Sequence, residues 1–222
     1  MVNVAIKAVV FDLGGILEII PGGNDPTSRF PAMLARWDER MGWPPGAMAA
    51  KFEAQDERHR AAGKDNMLGG FTYEEWLVET QVDMGWDAAT RDAFFVDYWD
   101  NYIGDPNPEL ADYFVSLRPR YRTAFLSNSG IGAREHEQAA RGFEDMADLI
   151  IYSHEVGVAK PDPRIYAITC ERLGVQPPEL VFLDNVSANI ASARDFGIHG
   201  VVFQDNTQAI REINALLAAH AS

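Results

Sequence analysis

At 222 residues, with 47% hydrophobic and 23% charged side chains, the chain has enough material for one large or two modest domains and lacks the composition of a disordered protein. A formal net charge of −14 argues against nucleic acid as a partner, because a phosphate backbone calls for a basic surface, but it leaves room for a small anion in a local pocket. One cysteine, Cys170, excludes an internal disulfide, and its setting "AITCERLG" reads as a helix face carrying a buried structural thiol in a reducing compartment.

The first predicted element is a strand, "IKAVVFD" at 6–12, an apolar run that delivers the lone carboxylate Asp12 and is followed at once by Gly14 and Gly15. A loop, "IIPGGNDPTS", comes next. Helical patterning then covers roughly 28–41, 44–61, 72–84 and 88–102, and the Thr-x-x-Glu spacing of Thr72 and Glu75 predicts a capping box that opens the third of these. Between them, "GKDNMLGGF" at 63–71 has the glycines of a hinge or lid. Trp37, Trp43 and Trp76 read mainly as core, with a pocket wall as the other possibility.

Beyond residue 105 the rhythm changes. Short β-rich runs at 121–127, 147–153, 179–184 and 199–203 alternate with the helical segments "NPELADYFVSLR", "DPRIYAITCERLG", "VSANIASARDFG" and "NTQAIREINALLAAH". Alternation of this kind implies an α/β fold, a parallel sheet covered by helices on both faces, to which the first strand also belongs. The expected division is 1–17 with 105–222 as the core and 18–104 as an inserted all-helical unit. Such an insert sits at the C-terminal edge of the sheet, where open α/β folds bind ligands. No run approaches the ~18 apolar residues of a membrane span, and no basic-then-apolar leader opens the sequence, so a cytoplasmic location without membrane contact is expected.

Chemistry-bearing residues fall at the strand ends. Asp12 ends the first; Ser127 and Asn128 end "TAFLS", with a helix expected soon after; Lys160 precedes Pro161 in "GVAKPDPRIY"; Asp184 and Asn185 end "ELVFLD". Each has a plain structural reading: Asp12 as a turn residue, Ser127 or Asn128 as a helix cap, Lys160 as a solvated loop lysine, and Asp184 as the cap of the next helix. Each also has a chemical one, namely nucleophile, anion binder, phosphate-neutralising charge and hard oxygen ligand for a divalent cation.

Taken together, "FDLGGIL", "LSNS", "VGVAKPDPRIY" and "VFLDN" resemble the four ordered motifs of the haloacid dehalogenase (HAD) superfamily of hydrolases, in the subgroup with a helical cap after the first motif. The resemblance spans essentially the whole chain and implies a Rossmann-like core. It implies a phosphatase in which Asp12 is the nucleophile and forms an aspartyl-phosphate. Mg²⁺ would be held by Asp12, the main-chain carbonyl of Gly14 and Asp184, with Asn185 supporting that site. Ser127, Asn128 and Lys160 would bind the phosphoryl group of a small phosphorylated metabolite, a sugar phosphate being one candidate.

Two positions depart from the pattern. Gly14 stands where such phosphatases carry a second Asp that protonates the leaving group, a loss worth roughly 10²- to 10⁴-fold in rate. Asn185 stands where another Asp is common. A water, or His59, Glu57 or Arg58 on the insert, is a candidate to replace the missing acid, although each of the three residues reads first as a solvated helix residue. The alternatives are a non-catalytic protein that binds a phosphorylated ligand or a partner, and a 2-haloacid dehalogenase; the second has Tyr at position 14 and Ser at position 184 in its own pattern, whereas this chain keeps Asp184.

Overall fold

The computed structural model describes residues 4–19 and 30–220; most of the loop "IIPGGNDPTS" lies outside them. Five parallel strands form the sheet: β1 (Ala8–Phe11), β4 (Arg122–Ser127), β5 (Leu149–Tyr152), β6 (Leu180–Asp184) and β7 (His199–Val202), in the order β5-β4-β1-β6-β7. The strands read as unbroken apolar runs because both faces are covered. Val9 and Phe11 of β1 pack with Leu110 and Phe114 of α5 (Pro108–Leu117) and Ile213 of α11 (Asn206–Ala219). Ala8 and Val10 point the other way, to Ile165 and Tyr166 of α9 (Pro163–Leu173) and Ile190 of α10 (Ser187–Asp195).

Four helices, α1 (Phe30–Met41), α2 (Ala47–Ala61), α3 (Tyr73–Met84) and α4 (Ala88–Tyr102), lie between β1 and the rest of the sheet in sequence. They pack around their own aromatic cluster, which includes Trp37, Trp76, Trp86, Phe94 and Trp99. The predicted capping box is present: Thr72 Oγ1 accepts from Glu75 N at 3.2 Å, and Glu75 Oε2 accepts from Thr72 N at 2.6 Å.

A short antiparallel ribbon that the sequence pattern does not reveal, β2 (Glu18–Ile19) with β3 (Asp105–Pro106), joins the two chain passages into and out of this helical unit. Other differences are local. The strand predicted to reach 153 stops at Tyr152, and Ser153 opens the short helix α8 (Ser153–Val156). The helix expected after β4 is α6 (Ala133–Arg141), followed by α7 (Phe143–Met146). α6 starts beyond a loop and is preceded by Gly132, which makes no side-chain cap, so neither Ser127 nor Asn128 is a capping residue. Cys170 is buried and free, and burial pushes its thiol up to about 11, as an inert structural role requires. Among the described residues, no helix is long and apolar enough to cross a membrane.

Candidate active site

The strand order reverses at β1, which lies between β4 and β6. Their C-terminal ends bring Asp12, Ser127 and Asp184 together, at the place where open α/β sheets bind ligands. Lys160 reaches the same point from the loop between α8 and α9. Its Nζ donates to Asp12 Oδ1, Asp184 Oδ2 and the main-chain oxygen of Leu126, each at 2.8 Å. An ammonium has three N–H donors, so all three are engaged.

The loop is held by its main chain. Asn128 Nδ2 donates to the carbonyl of Lys160, and the Lys160 amide donates to Asn128 Oδ1, both at 2.8 Å. Asn128 therefore fixes where Lys160 starts, and the two carboxylates fix where it ends. Asp184 is wholly buried; its Oδ1 accepts from Val186 N at 2.7 Å and its Oδ2 also from Asn189 Nδ2 at 3.0 Å.

Burial pushes the Asp12 carboxyl up to about 6, with Lys160 pulling it down and Asp184 pushing it further up. Burial also opposes the charge on Lys160. Asp12 and Asp184 outweigh it, and the lysine is held above its ordinary value as a cation.

Among the described residues, the hydrogen bonds to Asp12 go to Oδ1, from Leu13 N at 2.9 Å and from Lys160. Oδ2 is left for a substrate or a cation. No three His, Cys, Asp or Glu side chains among the described residues converge as a metal cluster. A donor set of two carboxylates and the Gly14 carbonyl is instead hard oxygen only, which suits Mg²⁺ with waters completing its shell and does not suit zinc. Asp184 Oδ1 retains one of its two acceptor positions for this purpose.

A cavity of about 220 Å³ opens over these groups, lined by Asp12, Gly14, Ser127, Asn128, Lys160 and Asn185 together with Glu18, Met67, Tyr102, Glu137, Val186 and Asn189. Drug-sized ligand sites run to roughly 300–1,000 Å³, so this one fits a small metabolite. Every predicted site residue lines it except Asp184, which sits behind Lys160 and Asn189. At Gly14 a side chain would meet nothing within 4 Å, so the cavity is open where the second Asp is missing.

Three residues that sequence reasoning missed are Glu18, Glu137 and Tyr102. Glu18 is 3% exposed, and its Oε1 has no hydrogen-bond partner among the described residues; Arg141 Nε lies 3.8 Å away. Burial pushes its carboxyl up to about 7, against the pull of Arg141 and the Gly104 amide. Glu137, 1% exposed, accepts from the Tyr152 hydroxyl at 2.6 Å, and burial followed by the neighbouring Glu18 holds it well above the usual carboxylate range. The one available signal was Glu18 standing alone in the apolar run "GILEII". Glu137 lies in the polar helix "AREHEQAAR" and looks like any solvated glutamate.

The residues suggested as substitute acids are elsewhere. His59 is buried against Phe71 and paired with Glu79, Arg58 pairs with Asp83, and Glu57 is exposed; none lines the cavity. Trp37, Trp43 and Trp76 do not line it either. The 63–71 loop does, through Met67, and it is docked on the sheet loops: Ile131 N donates to Asn66 Oδ1 at 2.8 Å.

Several known hydrolases are similar to this chain. Bifunctional epoxide hydrolase 2 of Sus scrofa is 26% identical over 229 residues, covering 94% of this chain, which spans only 38% of that relative's length. D-ribitol-5-phosphate phosphatase of Bacteroides thetaiotaomicron is 23% identical over 219 residues, covering 96% of this chain and 98% of its own. (S)-2-Haloacid dehalogenase 4A of Burkholderia cepacia is 30% identical, but over 95 residues and 42% of this chain. A HAD family enzyme of B. thetaiotaomicron, solved as a magnesium complex, superposes with a TM-score of 0.69 at 22% identity, covering 93% of this chain and 99% of that one. The family model for haloacid dehalogenase-like hydrolases matches residues 6–197, and the chain belongs to that family of enzymes.

Proposed function

We propose that the chain is a Mg²⁺-dependent phosphatase acting on a small phosphorylated metabolite, with a sugar phosphate as the candidate class. The observation that carries the reading is the ammonium of Lys160 set 2.8 Å from both Asp12 and Asp184, at the floor of a small cavity. Asp12 attacks phosphorus through Oδ2, and the bond to the leaving oxygen breaks. The oxygen takes up a proton from water, since Gly14 offers none. Water then attacks the aspartyl-phosphate, releasing inorganic phosphate and restoring the carboxylate. Ser127, the main chain at Asn128 and the buried charge of Lys160 hold the phosphoryl oxygens. Mg²⁺ on Asp12, the Gly14 carbonyl and Asp184 supplies charge neutralisation when bound.

The division into 1–17 with 105–222 as core and 18–104 as cap belongs to the same reading. The names of the B. thetaiotaomicron phosphatase and of the magnesium complex support it. Haloacid dehalogenases also match, in sequence over 42% of the chain and in fold over 95% of it. Keeping Asp184, an oxygen ligand for a cation, favours the phosphatase. The test is phosphate release from a panel of phosphomonoesters with Mg²⁺ or EDTA, alongside halide release from 2-chloropropionate. Asp12→Asn is expected to abolish phosphate release. Equal rates for this variant and wild type on every phosphomonoester, or halide release alone, would refute the proposal.

A further inference from the structure

The cavity holds more acid than the proposed chemistry uses. Asp12 and Asp184 serve the reacting phosphoryl group, yet Glu18 from β2 and Glu137 from α6 line or approach the same small space, and neither has a part in phosphoryl transfer. Both are almost fully buried, which is unusual for glutamate; Arg141 Nε, 3.8 Å from Glu18 Oε1, offsets its charge without reaching hydrogen-bond distance. Glu18 Oε1 is an acceptor with no donor among the described residues, and such an atom inside a protein calls for an explanation. Tyr102 stands with them on the cavity wall. The Gly130 amide is directed at its phenolic oxygen, and the O–H is itself a donor.

Charge decides what can sit there. The one cation lining the cavity, Lys160, has all three donors committed to Asp12, Asp184 and Leu126. Arg141, 3.8 Å from Glu18, does not line the cavity. A substrate with a second anionic group would meet Glu18 and Glu137 with the Tyr102 hydroxyl but no uncommitted cation among the lining residues to receive it. A hydroxyl, by contrast, donates to a carboxylate and accepts from a carboxyl or a phenol, so it is matched in either protonation state of the two glutamates.

Resting on the phosphatase reading, we propose that Glu18, Glu137 and Tyr102 form the leaving-group subsite and select neutral, hydroxyl-bearing alcohols over carboxylated or apolar ones. The specificity is then set by two acids that come from the base of the helical insert and from the helix following β4. The same charge arrangement opposes a 2-haloacid, whose carboxylate would have to lie among these groups.

Three two-carbon phosphomonoesters separate the possibilities: 2-hydroxyethyl phosphate, ethyl phosphate and phosphoglycolate, assayed for kcat/KM with Mg²⁺ at neutral pH. Wild type is expected to favour 2-hydroxyethyl phosphate over each of the others by at least about tenfold. Glu18→Leu and Glu137→Leu, which remove both charge and hydrogen bonding, should each bring the 2-hydroxyethyl to ethyl ratio close to one, with thermal unfolding confirming that the variants fold. The wild-type ratios stand even if a variant fails to fold. Phosphoglycolate or ethyl phosphate turned over as well as the hydroxylated ester, or a wild-type ratio retained in both variants, overturns the subsite. Release from acetyl phosphate but from none of the three overturns the subsite and leaves the phosphatase standing; no release from acetyl phosphate or any phosphomonoester overturns both.

Discussion

The side-chain amide of Asn185 lies against the bare Cα of Gly15, where a Cβ would overlap Nδ2 well inside van der Waals contact. Gly15 also has φ +76°, a conformation that side chains other than glycine's rarely adopt. Two separate reasons therefore keep this position glycine. Gly15→Ala should lose more than about 1 kcal/mol of stability, measured by urea denaturation. In an Asn185→Ala background the loss should shrink to the backbone part alone, a positive coupling in a double-mutant cycle. Strict additivity of the two substitutions would show that Asn185 does not pack on Gly15.

The neighbouring glycine is a different case. Gly14 has no positive φ, and a side chain there would enter open space. Gly14→Asp should fold with a stability within about 0.5 kcal/mol of wild type. If it supplies the absent general acid, turnover of esters with poor leaving groups should rise by up to roughly 10²-fold, while that of activated esters such as p-nitrophenyl phosphate changes little. Equal gains on both kinds of substrate would rule out a proton-donor role for the new carboxylate.

Lys160 holds two buried carboxylates apart in charge terms. In Lys160→Met the lysine stem is replaced without its ammonium, and Asp12 and Asp184 are left uncompensated. Breaking a buried pair in this way costs about 3–5 kcal/mol. Added Mg²⁺ should recover part of that loss, raising the melting temperature of the variant more than that of wild type. A smaller Mg²⁺ shift in the variant would place the cation away from these carboxylates.

Glu18, pushed up to about 7, and Glu137, held well above the ordinary 4.5, predict how the metal-free protein responds to pH. Their folded-state pKa values lie above the unfolded ones, so the folded protein binds more protons. Stability is then greatest below about 4.5 and falls as pH rises toward 7 and beyond, by up to about 1.4 kcal/mol per pH unit for each group. Asp12, at about 6, adds to the trend in the same direction. Denaturation at pH 5 to 8 in EDTA should show Glu18→Gln with Glu137→Gln gaining on wild type as pH rises. A constant difference across that range would mean that the two carboxyls titrate normally.

What the sequence made legible follows from local physics. Asp12, Ser127 and Asp184 end apolar strand runs, and a strand end in a parallel sheet has one destination, the ligand-binding edge. Lys160 was marked by the proline after it. Glu18 and Glu137 were not legible as partners because 118 residues of chain lie between them, and their burial arises only when β2 and α6 meet at the cavity. His59 fits neither reading that the sequence allows it, a substitute acid or a solvated helix residue: its ring packs on Phe71 and pairs with Glu79 inside the helical unit.

The β2–β3 ribbon carries a consequence of its own. Glu18 is paired with Pro106 and Ile19 with Asp105, and Asn107 ties the junction to Leu17 and Ile16 through hydrogen bonds of 2.9 and 2.8 Å. The ribbon is where the chain passes between the sheet and the helical unit, so Glu18 sits at the seam that joins the two. The group proposed to recognise the departing alcohol is thus anchored at the junction itself, so that a substitution loosening the ribbon should blur substrate selection together with the attachment of the helical unit.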